Sequence, residues 1–203
     1  MSRLIALESC HCQDDVRRRG MAARKKPQSR YHHGDLKTAL LESAWTVVAR
    51  RGLEELSLRA VADGLGVSHS APAHHFSDKG ALVAALKVEA WRRFADALQP
   101  SVSKGLRALG RAYLRFARAN PRQVQLMFSG GEENEHGARA WSALRSCVER
   151  SLPSGTRSEA ELDALARAAW ATVHGLATLP GEPVERVDER VLDVIEAGLS
   201  GVS

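Results

Sequence analysis

Apolar residues recur at helical spacing along most of the sequence, and Gly and Pro divide the chain into helix-length segments. The pattern predicts a first helix from Asp35, as N-cap, to Arg51, stopped by Gly52. A second helix of two turns is predicted after Ser57 as N-cap, and Gly66 lies just past its end.

The next two predicted helices are placed by Ser and Pro. Ser70 is the expected N-cap of a short third helix, because Pro72 is tolerated only in a first helical turn, where amide donors have no partners. Ser77 is the expected N-cap of a fourth helix, which reaches Leu98 and is ended by Pro100.

The rest of the chain is also predicted to be helical. Five further helices are expected at about 103–119, 121–128, 136–151, 159–179 and 184–199. Nowhere do β-branched or aromatic residues alternate over the length of a strand. The sequence therefore predicts an all-α fold of about nine helices. Its expected parts are an arm, 1–30, a helix-turn-helix domain, 31–80, and a C-terminal helical domain, 81–203.

The positive charge of the chain is concentrated at its N-terminal end. Residues 1–30 hold eight Lys and Arg against three Asp and Glu, whereas residues 31–203 hold equal numbers of both signs. Such an arm suits an anionic partner, and nucleic acid rather than membrane, because it has no apolar face to insert. A disordered, solubilising tail is the alternative. Met21 offers a second start, and with it residues 1–20 would not be translated.

Composition and motifs exclude several classes of protein. No run approaches the roughly 18 apolar residues of a membrane span, and Leu4–Leu7 is too short for a secretory signal, so a cytoplasmic protein without a membrane partner is expected. The Cys10-His11-Cys12 sequence lacks zinc-knuckle spacing, and Cys147 is expected to be a buried thiol. No metal or other cofactor is predicted. The sequence also lacks HExxH, P-loop and GxGxxG motifs, so an enzyme is the less favoured class.

The second and third helices are predicted to form a helix-turn-helix unit. They are joined by Gly66-Val67-Ser68. The angle between them is expected to be fixed by Val61, Leu65, Val67 and Phe76. In such units the second helix enters a DNA major groove about 12 Å wide, while the first lies across the backbone.

Residues 31–83 resemble the N-terminal DNA-binding domain of the TetR/AcrR family of bacterial regulators. The resemblance rests on S-L-R-x-V-A-x-x-L-G-V-S followed by H-F-x-x-K-x-x-L. It implies a homodimeric repressor that binds a palindromic, double-stranded DNA operator. It also implies a C-terminal domain that binds a small molecule and thereby changes the spacing of the two DNA-reading domains.

The resemblance carries DNA contacts over to individual residues, with His75 and Lys79 matching a phosphate clamp. The implied contacts are Ser57, Arg59, Ser68, His69, Ser70, Ala73, His74, His75 and Lys79. Ala71-Pro72-Ala73 stands where the family usually has Thr-Leu-Tyr, and Gly80 replaces a common Glu, so a capping box with Ser77 is lost. A metal site among the histidines is disfavoured, because no acidic or Cys partner shares their helical face.

Aromatic residues are concentrated in the C-terminal domain, where they either line a ligand pocket between helices or are only core. The segments Phe116 to Pro121, Leu126 to Phe128 and Trp170 to Leu176 resemble TetR-type C-terminal domains named for a Trp-His-Gly motif. For His174, a structural hydrogen bond is slightly favoured over ligand contact. The candidate ligand-binding residues are Trp91, Phe94, Tyr113, Phe116, Met127, Phe128, Trp141, Trp170 and His174.

The last two predicted helices are the expected homodimer interface, as the resemblance implies, through Glu159–Leu179 and Val184–Leu199. The first of them has many small residues, and Gly175 within it suggests close approach of another helix. Leu192, Ile195 and Leu199 form an apolar stripe on the second helix, which either faces the partner or closes the core of one subunit. The sequence thus predicts a repressor released by a small hydrophobic ligand, and a ligand-independent DNA-binding regulator is the alternative.

Overall fold

The computed structural model describes residues 33–130, 134–153, 158–179 and 185–201, and all regular secondary structure in these ranges is helical. The basic arm, Met21 and the Cys10-His11-Cys12 sequence lie outside them. The helices are α1 (His33–Arg51), α2 (Leu58–Leu65), a 3-10 helix (Pro72–His74), α3 (Lys79–Val102), α4 (Leu106–Ala119), α5 (Pro121–Met127), α6 (Glu135–Ser151), α7 (Glu159–Thr178) and α8 (Glu185–Ser200). The all-α prediction is confirmed. No helix in the described ranges is long and apolar enough to cross a membrane.

We call residues 33–78 the head and α4 to α8 the body; α3 joins the two. The predicted ends of α2 are confirmed, because Ser57 Oγ accepts a hydrogen bond from the Ala60 amide at 3.1 Å and Gly66 closes the helix at φ 68°. Such a left-handed cap costs Gly little. The helix α1 begins at His33, two residues before the expected cap Asp35.

The expected third helix is a 3-10 helix of three residues, and Ser70 is not its N-cap. Ala71 holds that position without a side-chain cap. The amides of Ala73 and His75 donate to the carbonyls of Ser70 and Pro72, three residues back, at 3.2 and 2.9 Å. Pro72 is the first residue of this helix, where its missing amide costs no hydrogen bond.

Both predicted ends of the fourth helix, here α3, are wrong. Asp78 is the N-cap in place of Ser77, and its carboxylate accepts from the Ala81 amide at 2.8 Å. That hydrogen bond lowers the pKa of Asp78. At the other end the helix continues through Pro100 to Val102, because Leu98 and Ser101 on either side of Pro100 are buried against the body. Tertiary packing therefore overrides the breaking effect of Pro100.

The core of the molecule runs from the head along α3 into the body. Phe76 lies in this core, 3% exposed, and Cys147 is a fully buried thiol, both as predicted. In the body, α4 begins at Leu106 rather than near residue 103, after Gly105 at φ 94°. The helix α7 begins with a capping box between Ser158 and Glu161.

The last helix packs its apolar stripe into its own subunit. Leu192 and Leu199 are 3% and 4% exposed, so the stripe that was expected to face a partner closes the core of one subunit instead. Ion pairs to α4 hold α8 there: Arg118 donates to the buried Asp188 at 2.7 Å, and Arg107 and Arg111 both bind Glu189 at 2.7 Å. The two guanidinium groups lower the pKa of Glu189 to about 2.

Candidate DNA-binding surface and ligand cavity

The predicted DNA contacts of the head lie together along the end formed by α2, the following turn, the 3-10 helix and the start of α3. His75 is half-buried and its eight companions are exposed. The exposed candidates are Ser57, Arg59, Ser68, His69, Ser70, Ala73, His74 and Lys79. The surface is therefore open to a large ligand such as a DNA duplex.

Lys79, one half of the predicted phosphate clamp, is the first residue of α3. Its Nζ donates to the carbonyl of Glu54 at 2.9 Å. This contact orients the ammonium group and leaves two of its three protons available to a phosphate. His75 lies four residues earlier, with its ring centroid 6.4 Å from that of the buried Phe76. The core residue Phe76 thus restricts where the His75 ring can lie.

Asp63, which the sequence pattern did not single out, pairs with a predicted DNA contact. Its carboxylate Oδ1 lies 2.8 Å from His69 Nε2, across the turn centred on Gly66. Both side chains are more than half exposed, so the pair contributes little to stability and chiefly orients the imidazole. The available signal was an acidic residue six positions before a histidine, with a helix-ending Gly between them.

Two small residues that bring α1 and α2 together were also missed. Ser43 of α1 is buried, and its hydroxyl donates to the Val61 carbonyl of α2 at 3.0 Å. A Cβ added to Gly64 would lie only 2.6 Å from Ser43 Oγ, so the helices meet where α2 has no side chain. This contact fixes α2, and with it the turn and the 3-10 helix, relative to α1.

A cavity of about 280 Å³, partly open to solvent, lies between α3 and helices α4, α6, α7 and α8 of the body. Six of the nine residues proposed from the sequence as ligand contacts lie on its wall: Trp91, Phe94, Tyr113, Phe128, Trp141 and Trp170. Phe116, Met127 and His174 lie off the wall. Among the residues that the structure describes, no three or more His, Cys, Asp or Glu side chains are grouped as a metal would require.

The aromatic residues of the wall contact one another mainly edge to face. The Trp91 ring lies 5.2 Å from Phe128 and 5.8 Å from Phe94, and Phe94 lies 5.2 Å from Tyr113, at interplanar angles of 76° to 86°. Such contacts favour a fixed arrangement of the rings. Trp141 is held separately, with Arg167 stacked 5.2 Å from its centroid.

His174 stands behind the wall and binds one of its members. Tyr113 Oη and His174 Nδ1 lie 2.6 Å apart. Burial lowers the pKa of His174 and raises that of Tyr113 to about 12, which keeps the imidazole neutral and the phenol protonated at neutral pH. The neutral Nδ1 either accepts from the phenol or donates to it, depending on the imidazole tautomer. This bond joins α4 to α7, as expected of a structural histidine.

Comparison with known proteins supports the identification of both parts. Residues 40–86 match the model of bacterial regulatory proteins of the tetR family, and residues 106–198 match a tetracyclin repressor-like C-terminal domain. Together these matches cover more than half of the chain and include the Trp170 to Leu176 segment. No match was found among curated proteins.

Three solved structures illustrate the similarity. A protein with unknown function from Rhodococcus sp. RHA1 is 31% identical, with a TM-score of 0.72, and the alignment covers 85% of this chain and 100% of that one. PfmR, a TetR family transcriptional regulator from Thermus thermophilus, is 21% identical, with a TM-score of 0.59 over 85% and 98% of the two chains. The fatty acid degradation regulator FadR from Bacillus halodurans is 14% identical, with a TM-score of 0.62 over 83% and 98%.

The last two structures share the fold with this chain, and the family models cover both its head and its body. Members of the family are transcription factors that dimerise and bind DNA, and are not enzymes. This chain belongs to the TetR family and is a DNA-binding transcriptional regulator.

Proposed function

We propose that this regulator is a ligand-responsive repressor that binds a palindromic operator as a homodimer and leaves it when a small hydrophobic ligand fills the cavity. The observation that carries this proposal is the course of α3. One continuous helix has Lys79 of the DNA-binding surface as its first residue and places Trp91, Phe94 and Leu98 on the cavity wall. Lys79 and Trp91 lie about 18 Å apart along its axis, at a rise of 1.5 Å per residue.

Contacts between α3 and the head support the transmission of a shift from the cavity. Arg93 of α3 forms an ion pair with Glu42 of α1, and Lys79 binds the Glu54 carbonyl beyond the end of α1. A ligand that favours a displaced α3 would therefore also favour a displaced head. The ligand can weaken DNA binding by no more than the ratio of its affinities for the two conformers.

The cavity counts against a regulator whose C-terminal aromatics are only core. Protein interiors are packed like organic crystals and contain few voids larger than a water molecule. A volume of about 280 Å³ surrounded by six aromatic side chains is well above that size.

The exposed faces of α7 and α8 support a homodimer. Small residues follow one face of α7, and no heavy atom of another helix lies within 4 Å of a Cβ added to Gly175. The close approach that Gly175 suggests is therefore not made within one subunit, and a second copy is the proposed partner. Exposed small and apolar residues of α7, of its C-cap and of α8 include Ala164, Ala168, Ala171, Leu179, Val194, Ala197 and Gly198.

DNA binding is tested by fluorescence anisotropy with a duplex from the gene's own upstream region and a scrambled duplex, at two salt concentrations. We expect the wild type to prefer the upstream duplex. The His75→Ala/Lys79→Ala variant should lose affinity for both duplexes, with a shallower salt dependence, because it loses phosphate contacts. Lys104→Ala removes one charge at the far end of α3 and serves as the control. Equal binding of both duplexes by wild type and double variant would contradict the role given to the head.

The ligand response is tested on the same complex with two apolar probes, neutral 1-naphthol and anionic octanoate. The proposal is supported if either probe releases the protein from the upstream duplex and neither changes its binding to the scrambled duplex. Retention of the duplex with both probes at saturating concentration would contradict ligand-dependent release and leave DNA binding unaffected.

A further inference from the structure

We infer that the cavity selects an uncharged, planar aromatic molecule of about two fused rings, an inference that rests on the ligand response proposed above. It follows from the volume of the cavity, the nature of its wall, and the charges at its solvent-facing end.

The volume limits the ligand to a small molecule. A cavity of about 150 Å³ in another protein holds one benzene ring, and the cavity here is about 280 Å³, or nearly twice that. Two fused rings fill such a space.

The wall favours a ring over an aliphatic skeleton of the same size. Aromatic rings prefer offset-stacked or edge-to-face contacts, and the wall rings already adopt the edge-to-face geometry with one another. A planar ring placed among Trp91, Phe128 and Trp170 continues this arrangement. A saturated ring system of equal volume lacks the electrostatic complementarity.

Charged ligands are disfavoured both at the end of the cavity that holds Arg107 and Glu196 and along the rest of its wall. Arg107 and Glu196, both partly exposed, are the wall residues with ionisable side chains that carry a charge at neutral pH. Arg107 already interacts with Glu189, Asp193 and Glu196, so a ligand carboxylate would compete with three carboxylates for one guanidinium group. Away from this end the wall is apolar and aromatic, and burying either sign of charge there without a partner is costly.

The polar groups of the aromatic wall are the Tyr113 hydroxyl and the indole N–H groups of Trp91, Trp141 and Trp170. The Tyr113 hydroxyl is already hydrogen-bonded to His174 Nδ1, at 2.6 Å. A ligand that bonds this hydroxyl must therefore compete with His174.

The test is direct binding to the full-length protein without DNA, by isothermal calorimetry and by quenching of tryptophan fluorescence. Four probes share one carbon skeleton: neutral 1-naphthol, its saturated form decahydro-1-naphthol, anionic 1-naphthoate and cationic 1-naphthylmethylammonium. We expect 1-naphthol to bind most tightly, and each of the other three to bind at least about tenfold more weakly.

A variant locates the site. Ala140→Leu adds bulk to the wall from α6 and should abolish 1-naphthol binding, whereas Ala143→Leu, on the same helix but off the wall, should not.

Tighter binding of either ion or of the saturated alcohol, no binding of 1-naphthol, or equal binding by the two variants would overturn the inference. If 1-naphthol binds but DNA is retained, the ligand class stands and the proposed release fails. If octanoate releases DNA while 1-naphthol does not bind, the ligand class fails and the release stands.

Discussion

The head and the body each contain a glycine packed against another helix, but the atom that the glycine faces is fixed in the head and adaptable in the body. A Cβ on Gly64 in the head would lie 2.6 Å from Ser43 Oγ, whose hydroxyl is bonded to the Val61 carbonyl. A Cβ on Gly110 in the body would clash with Leu192 Cδ2, the end of a flexible side chain on the wall of the cavity. The contact in the head thus holds one geometry, and the contact in the body has room to change.

The largest expected effect comes from disrupting the proposed homodimer, because the heads of the two subunits are then no longer linked. Ala168→Glu places a carboxylate on the exposed small face of α7. We expect a monomer in sedimentation equilibrium and an affinity for the upstream duplex lower by about 100-fold or more, because two linked half-site contacts become independent. Ala138→Glu, at an exposed alanine of α6, is the matched control. If both variants are dimers that bind the upstream duplex with wild-type affinity, the α7 face is not the interface.

The contrast between the two glycine contacts is tested by replacing each glycine with Ala. Gly64→Ala should reduce the free energy of unfolding by about 1 to 3 kcal/mol, because the Ser43 hydroxyl has nowhere to move without losing its hydrogen bond. Gly110→Ala should cost less than about 1 kcal/mol, because Leu192 can turn into the cavity. Urea unfolding measures both. Only Gly64→Ala should also weaken DNA binding.

Helix propensity favours Ala over Gly in both variants. A second substitution separates this contribution to stability from the steric contact of the new methyl group. Adding Ser43→Ala to Gly64→Ala removes the atom that the new methyl group meets, and should restore part of the DNA affinity. If Gly64→Ala and Gly110→Ala are equally stable, the contrast between a rigid head and an adaptable body is wrong.

A smaller effect is expected at the DNA-facing pair of Asp63 and His69. Asp63→Asn keeps a side-chain oxygen near the imidazole and removes a negative charge from the DNA-binding surface. We expect affinity for upstream and scrambled duplexes to rise together, by about 2- to 5-fold at low salt, as removal of phosphate repulsion predicts. Anisotropy titrations measure this, with Glu149→Gln on α6 as a charge-matched control. An unchanged affinity would place Asp63 away from the DNA.

The smallest effect is expected from pH acting on the body. Burial lowers the pKa of His174 below its ordinary 6.5, so the unfolded chain binds more protons than the folded one just below that pH. The stability that depends on neutral His174 is therefore complete above pH 6.5 and decreases as pH falls below it. Thermal unfolding at pH 7.5 and 5.5 should show a smaller loss for His174→Gln than for wild type. His74→Gln in the head is the control for losing an imidazole, and equal losses in all three proteins would contradict the assignment.

Local signals made the head more predictable than the body. Ser57 and Gly66 mark the ends of α2 because their roles depend on a few neighbouring backbone groups. The same kind of signal failed at Ser77, because Asp78 beside it caps helices equally well. Pro72 was recognised as a constraint, yet a recognition element of a single 3-10 turn was not predicted.

Features that depend on contacts between distant segments could not be predicted. Pro100 lies inside α3 because the last turn is buried against the body. Which of the candidate residues face the cavity depends on the rotation of five helices, so the prediction included Phe116 and Met127, which lie off the wall. The stripe of Leu192, Ile195 and Leu199 was visible, but only the packing of α8 on α4 shows that it closes a single subunit.

The central claim is that the cavity in the body controls DNA binding by the head. The most direct test is the anisotropy of the upstream duplex with wild type and Ala140→Leu, each with and without saturating 1-naphthol. The account predicts that 1-naphthol lowers the DNA affinity of the wild type by at least about tenfold, a typical allosteric coupling, and leaves Ala140→Leu unchanged. Calorimetric binding of 1-naphthol to the wild type with no change in its DNA affinity would contradict that claim.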